Sequence, residues 1–219
     1  MKMKAFVITI EHFEKSVQAA KRCIKSGKKY GIDIEIWKAT TPADKPHKIL
    51  ESKNIPLGPF NEIYSRTTSC MAAFCSHMSL WEHSIEIDEP VMIFEHDAVV
   101  TGTLPEDLKF DKVITFSKPS YGKFNTPLTM GVQPLIQKPY FGGAHGYIVT
   151  PEGSRELIEV AKENPTSTDV FLNTDNFPWL EEYYPWVCMA VDGFTTIQVE
   201  AGCQAKHRYG EGYMIEDVK

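Results

Sequence analysis

The stretch PVMIFEHDAVV (90–100) sets Glu95, His96 and Asp97 directly behind a short apolar run. Three ionisable side chains at that point must be offset by solvent, by a partner or by a bound cation, because desolvation and mutual repulsion both act on them. Side chains alternate along an extended chain, so Glu95 and Asp97 project to one side and His96 to the other. Two carboxylates on one side can hold a hard divalent cation, Mg²⁺ or Mn²⁺, that bridges to phosphate oxygens. A solvated turn after a strand accounts for the same triplet, and the residues alone leave both readings open. Cys70, Cys75, His77 and His83 have the residue types for zinc. They fall on one helix, however, and cannot converge tetrahedrally there. Phe177, Trp179, Tyr183, Tyr184 and Trp186 offer enough ring surface for a sugar face. With Pro178 and Pro185 between them they suit a satellite core under a loop as well.

The elements that must position these groups follow from periodicity. KAFVITI (4–10) reads as a strand, and Phe13, Val17, Ala20 and Ile24 then mark one face of a helix over 11–26 that ends near Gly27 and Gly31. IDIEIW (32–37) alternates strictly, which predicts a strand near a sheet edge with Ile32, Ile34 and Ile36 inward. Residues 40–60 carry four prolines and read as a loop with a short helix around 46–53. A long helix follows to Asp88, with Thr67 to Ser69 offering an N-cap and Met71, Phe74, Cys75, Met78, Trp81 and Ile85 forming its stripe. The apolar residues ahead of Glu95 are the next strand, and KVITFS (112–117) another. Residues 118–139 hold four prolines and two glycines and predict a long irregular excursion, a kind of loop that is commonly functional or mobile. GYIVT (146–150) runs into Thr150-Pro151, an N-cap followed by proline at the first helical position, with Leu157, Ile158 and Ala161 inward. A further strand is expected at 194–199. This alternation predicts an α/β fold with a mostly parallel sheet flanked by helices, in a single domain over 1–219. Ligands of such sheets bind beyond the carboxyl ends of the strands, where the acidic triplet sits.

Composition narrows the partners. The 219 residues carry a formal net charge of −6, and no Lys/Arg block runs beyond three. A nucleic-acid or anionic-membrane partner is therefore disfavoured, and a polyanionic ligand would have to meet a local basic cluster. The opening MKMKAFVITI lacks the apolar length of a signal peptide, no segment approaches membrane-spanning length, and the five cysteines form no framework. The expectation is a cytoplasmic protein with reduced thiols.

SHMSLWEHSIEIDEPVMIFEHDAVV (76–100) resembles the family 25 glycosyltransferases of lipopolysaccharide and collagen glycosylation. Ser76, His77, Trp81, Glu89-Pro90, the strand VMIF, Glu95, Asp97 and Ala98 all fall in register with that family's pattern. GGAHGYIVTPEGSRELIE (142–159) is similar to the family's Gly-x-His-x-Tyr strand and following helix, through Gly143, His145, Tyr147 and Gly153. TDVFL (168–172) matches the later Asp-aromatic-Leu segment, and FVITIEHFEKS the first strand and turn more loosely. The chain departs from the pattern at His96, where an acid is usual, at Ala73, where a cysteine is usual, and in lacking the arginine after the first strand.

What the resemblance implies is a GT-A fold and inverting transfer of galactose or glucose from a UDP-sugar with Mn²⁺ or Mg²⁺. The acceptor would be a hydroxyl of a glycan, a lipooligosaccharide or a protein. On that reading Asp97, Glu95 and His207 hold the metal. Thr9, Ile10, His12, Thr40, His77, Glu95, Lys206 and Arg208 meet the donor, and His145 and Tyr147 the acceptor. Asp169, with Asp175 behind it, takes the acceptor proton. His77, four residues from Trp81 on one helical face, is equally well read as a hydrogen-bonded histidine in a packed helix. A non-catalytic relative, with His96 marking a decayed site, and more distantly a metal-dependent phosphohydrolase are the competing readings.

Overall fold

A computed structural model describes residues 3–60, 66–191 and 196–197. Strand β1 (Lys4–Thr9) lies inside a seven-stranded sheet, with β2 (Ile34–Lys38) parallel to it on one side and β3 (Val91–Glu95) parallel on the other. The sheet continues through β7 (Gly146–Val149), β5 (Val113–Thr115), β8 (Glu181–Tyr184) and β6 (Gly131–Pro134). Only β6 and β7 run against the common direction, so the sheet is mixed but mostly parallel, as expected. A two-stranded ribbon of β4 (Ala98–Val100) and β9 (Cys188–Ala190) completes the strands.

Helices cover both faces. Helix α1 (Glu14–Lys29) lies on one; α3 (Thr67–Ile87) and α4 (Pro151–Ala161) lie together on the other, with the short α2 (Pro46–Ser52) against α3. The strand residues sort between two cores by parity, because the side-chain period of a strand is two. Phe6, Ile8, Val91, Ile93, Tyr147 and Val149 join the α3 core. Ala5, Val7, Met92, Phe94 and Ile148 join the α1 core.

Several local expectations shift. The buried residues of α1 are Ser16, Ala19, Ala20, Arg22, Cys23, Ser26 and Gly27, nearly all small, whereas Val17 and Ile24 are only half-buried. Small residues let the helix approach the sheet closely, and that overrides the larger side chains. On edge strand β2, Ile36 is exposed while Trp37 on the opposite side packs on Phe6 and His83. Arg66 is the N-cap of α3 and makes no side-chain cap bond there, so Thr67 and Ser69 lie within the helix. Buried residues wrap most of α3, because sheet, α2 and α4 surround it. The excursion 118–139 contains β6, paired with β8 and tied down by buried Glu182, whose carboxylate accepts from the amides of Ile136 at 2.7 Å and Gln137 at 2.8 Å. Thr150 caps α4 as expected, accepting from Gly153 N–H at 3.1 Å. Cys23, Cys70, Cys75 and Cys188 are free and buried. Cys203 and most of the expected 194–199 strand lie outside the described residues.

Candidate active site

The parity of β3 divides the triplet. Glu95 continues the series Val91, Ile93 towards α3, and His96 continues Met92, Phe94 towards α1. His96 Nδ1 accordingly meets Ser16 Oγ of α1 at 3.1 Å. The turn is pinned at the Asp97 carbonyl, which accepts from Arg22 at 3.4 Å and from Val191 N–H at 3.3 Å. Glu95 and Asp97 are left on the same side, as expected from alternation.

Strand β7 supplies the third group. Its ladder with β3 pairs Phe94 with Gly146 and extends one step further, with Glu95 N–H donating to His145 O at 3.1 Å. His145 therefore projects on the same face as Glu95. Its Nδ1 lies 2.9 Å from Glu95 Oε2 and 3.4 Å from Asp97 Oδ1. Gly143 makes this possible: its φ is +108°, and a Cβ there would come within 2.0 Å of His145 Nε2.

Outer contacts hold the ring. His145 Nε2 is 2.8 Å from Ser120 Oγ, which donates to Gly142 O at 3.1 Å. With its proton so used, Ser120 accepts from Nε2–H, and Nδ1 is the nitrogen turned to the carboxylates. Behind Glu95, Trp81 Nε1 donates to Tyr147 OH at 2.8 Å. The Tyr147 hydroxyl can then donate to His77 Nδ1 at 3.0 Å, so that His77 Nε2–H faces Glu95 Oε1 at 3.5 Å.

Burial works to raise the Glu95 carboxyl, but His145 and His77 overcome it and hold Glu95 well below the usual carboxylate range. For His145, burial works to lower the ring, and the charges of Asp97 and Glu95 push it up to about 10 instead. The pair of carboxylates thus makes a point that strongly favours positive charge. The three side chains fit a divalent cation: their ligand atoms lie within 4.8 Å of one another. Asp97 Oδ1 and His145 Nδ1 are both buried, and their polar contacts are confined to the cluster itself. Two carboxylate oxygens and an imidazole nitrogen suit Mn²⁺ or Mg²⁺.

Asp169, on the short α5 (Thr168–Phe171), borders this cluster. Tyr121 OH donates to its Oδ2 at 2.6 Å, and Val170 N–H to its Oδ1 at 3.0 Å. Burial raises its carboxyl; the Tyr121 bond opposes this, and the charge of Glu95 reinforces it. Asp175 is exposed and takes no part in the cluster.

The other expected residues are placed differently. His145, read as an acceptor contact, sits among the carboxylates because β7 is the direct neighbour of β3. Tyr147 is fully buried, with its hydroxyl committed to Trp81 and His77, so it supports the site from behind rather than facing an acceptor. His77 is buried behind Glu95 and does not line an open donor pocket. Thr9 buries its side chain and donates to Val7 O at 3.0 Å. Ile10 is half-buried, with its N–H on Ser16 Oγ at 2.9 Å, and Thr40 N–H donates to Ser76 Oγ at 2.9 Å. His12 is exposed in the turn before α1. Lys206, His207 and Arg208 lie outside the described residues. Ser16, Ser120 and Tyr121 were not legible as site residues. For the latter two, the only sequence signal was their place in a long proline- and glycine-rich excursion.

Residues 3–111 match the family model of glycosyltransferase family 25 (LPS biosynthesis protein). That span carries Glu95 and Asp97; His145 and Asp169 lie beyond it. No curated protein matches the chain. Among solved structures, an active-site mutant of LgtC is similar at 12% identity and TM-score 0.50, over 88% of each chain. The galactosyltransferase LgtC in complex with donor and acceptor sugar analogs is similar at 10% identity and TM-score 0.48, over 86% of each. A Drosophila β1,4-galactosyltransferase 7 mutant in complex with manganese, UDP-Gal and xylobiose gives 6% identity and TM-score 0.35, over 72% of this chain and 52% of that one. The likeness to the LgtC mutant is one of fold, and the fold is GT-A-like.

Proposed function

We propose that this chain, which belongs to glycosyltransferase family 25, is an inverting, divalent-metal-dependent hexosyltransferase. It takes galactose or glucose from a UDP-sugar and delivers it to a hydroxyl of a glycan, a lipooligosaccharide or a protein. The observation that carries this reading is the convergence of Glu95, Asp97 and His145 beyond the carboxyl end of β3. These three residues would hold Mn²⁺ or Mg²⁺, and the chemistry the cation supplies when bound is positive charge opposite the departing diphosphate. His77, and His145 until the cation takes its Nδ1, keep Glu95 ionised for that task. Inversion by direct displacement requires a base for the acceptor proton, and Asp169 is the carboxylate beside the cluster. Burial raises its carboxyl, which makes it a stronger proton acceptor than an ordinary aspartate, while Tyr121 fixes its orientation. His96 turns away to Ser16, so the departure from an all-acidic triplet leaves the cluster intact and gives no support to a decayed site.

The test is consumption of a panel of UDP-sugars, with and without Mn²⁺, by wild type and Asp97→Asn, with the anomeric configuration of the product read by NMR. One UDP-sugar should be consumed, only with metal, with inversion, and the variant should lose at least about 100-fold in rate. Metal-independent turnover, or cleavage of simple phosphate esters in place of sugar transfer, would sink the reading; a retained anomer would remove the inverting step.

A further inference from the structure

The geometry points to a second surface: we infer that the tip of the 118–139 excursion docks on an anionic lipid bilayer. The excursion is closed at its neck by Asn125 N–H on Gln137 O at 2.9 Å and Asn125 Nδ2 on Ile136 O at 3.0 Å. Beyond that neck Leu128 is 99% and Met130 83% exposed. Single exposed apolar residues are ordinary on protein surfaces. Two almost bare ones at a loop tip, with half-exposed aromatic rings at its neck, are not. Phe124 lies edge-on to Trp186 with ring centroids 5.6 Å apart, and Trp186 meets Tyr184 at 5.2 Å. Because Glu182 ties 136–137 to β8, this apolar rim stands on a fixed base.

Charge selects the occupant. From Lys112 to Pro151 the sequence holds four lysines and no aspartate or glutamate, in a chain of net charge −6. Lys112 is taken up by Glu152 and Glu156, and Lys138 is buried over the Tyr121 and Tyr140 rings. Lys118 and Lys123 are exposed and make no ion pair among the described residues. Apolar tip, aromatic rim and basic flank together are the composition of an interfacial membrane contact. The acidic remainder of the chain does not forbid it, because charges further off than about 8 Å are largely screened at physiological salt. No helix among the described residues is long and apolar enough to cross a membrane. The same excursion reaches the active site at its base, through Ser120 on His145 and Tyr121 on Asp169. A docked tip therefore holds the catalytic mouth near the interface. The docking surface stands independently of the sugar-transfer reading.

Co-sedimentation of the full chain with vesicles tests this without any substrate. Wild type should bind vesicles containing phosphatidylglycerol, bind phosphatidylcholine vesicles far less, and be released by salt. Leu128→Asp/Met130→Asp should weaken binding by about tenfold or more, and Lys118→Glu/Lys123→Glu should remove the preference for anionic lipid. All four positions are exposed, and unchanged thermal melting would show the fold intact. Wild type left in the supernatant with both vesicle types overturns the inference, as does equal binding by the variants. A concentration-dependent dimer that Leu128→Asp/Met130→Asp abolishes, with no vesicle binding, assigns the surface to a second copy of the chain and overturns it too.

Discussion

Glu95 and His145 are joined twice across neighbouring strands: the Glu95 amide donates to the His145 carbonyl at 3.1 Å, and His145 Nδ1 lies 2.9 Å from Glu95 Oε2. The backbone bond fixes the register of β3 against β7, and the register fixes the side-chain contact. A one-residue slip would turn one of the two to the opposite face of the sheet. The sheet itself thus places Glu95 against His145.

Gly143→Ala should damage this arrangement without unfolding the chain. The added methyl would occupy the place of the His145 ring, and the backbone at φ +108° resists any side chain. Mn²⁺ affinity, measured by electron paramagnetic resonance, should fall by about 10- to 100-fold, with thermal stability only modestly lower. Unchanged affinity would show that His145 is not a ligand.

Tyr147→Phe tests the buried chain behind Glu95. The substitution keeps the ring but leaves Trp81 Nε1 and His77 Nδ1 without their partner in the core. Chemical denaturation should show a loss of about 1–3 kcal/mol. Retained stability would mean that both groups find other partners.

His96→Ala should leave Mn²⁺ affinity within about twofold of wild type, a surface-substitution effect at most. The reason is parity: His96 faces Ser16 of α1, on the far side from Glu95. A larger loss, read by the same titration, would place His96 among the metal's ligands.

Asp169→Asn separates stability from activity. Burial first, and the Glu95 charge with it, raises the Asp169 carboxyl in the folded chain against the opposing Tyr121 bond. Between the unfolded and folded values the native state therefore binds more protons, and stability falls as pH rises through that window. The variant should melt a few degrees higher than wild type at neutral pH, with the gap closing in acid, where the wild-type carboxyl is protonated. Transfer should fall by about 10²–10⁴-fold if Asp169 is the base. A variant that is active, or no more stable than wild type at neutral pH, would contradict the assignment.

The sequence by itself determined the main helices and the strands β1, β2, β3, β5 and β7 in their order, because both periods are local; β4, β6, β8, β9 and the short α5 were not legible in it. The apolar run before Glu95 declared β3, Thr150-Pro151 the start of α4, and the alternation of strand side chains put Glu95 and Asp97 on one side and His96 on the other. Motifs carried by a few residues, from Ser76 to Ala98, were enough to suggest the family. Only the tertiary structure decided which strand lies beside β3. No local pattern says that β7, more than forty residues further on, is its antiparallel neighbour, yet that pairing brings His145 into the carboxylate cluster. The same pairing puts Tyr147 in the core, where its hydroxyl must bond to Trp81 and His77. Ser120 and Tyr121 had no signal of their own, since a loop residue's partner depends on the path of the loop and not on its spacing. Parity is written in the chain, whereas adjacency between distant strands is settled only when the whole sheet buries its two faces at once.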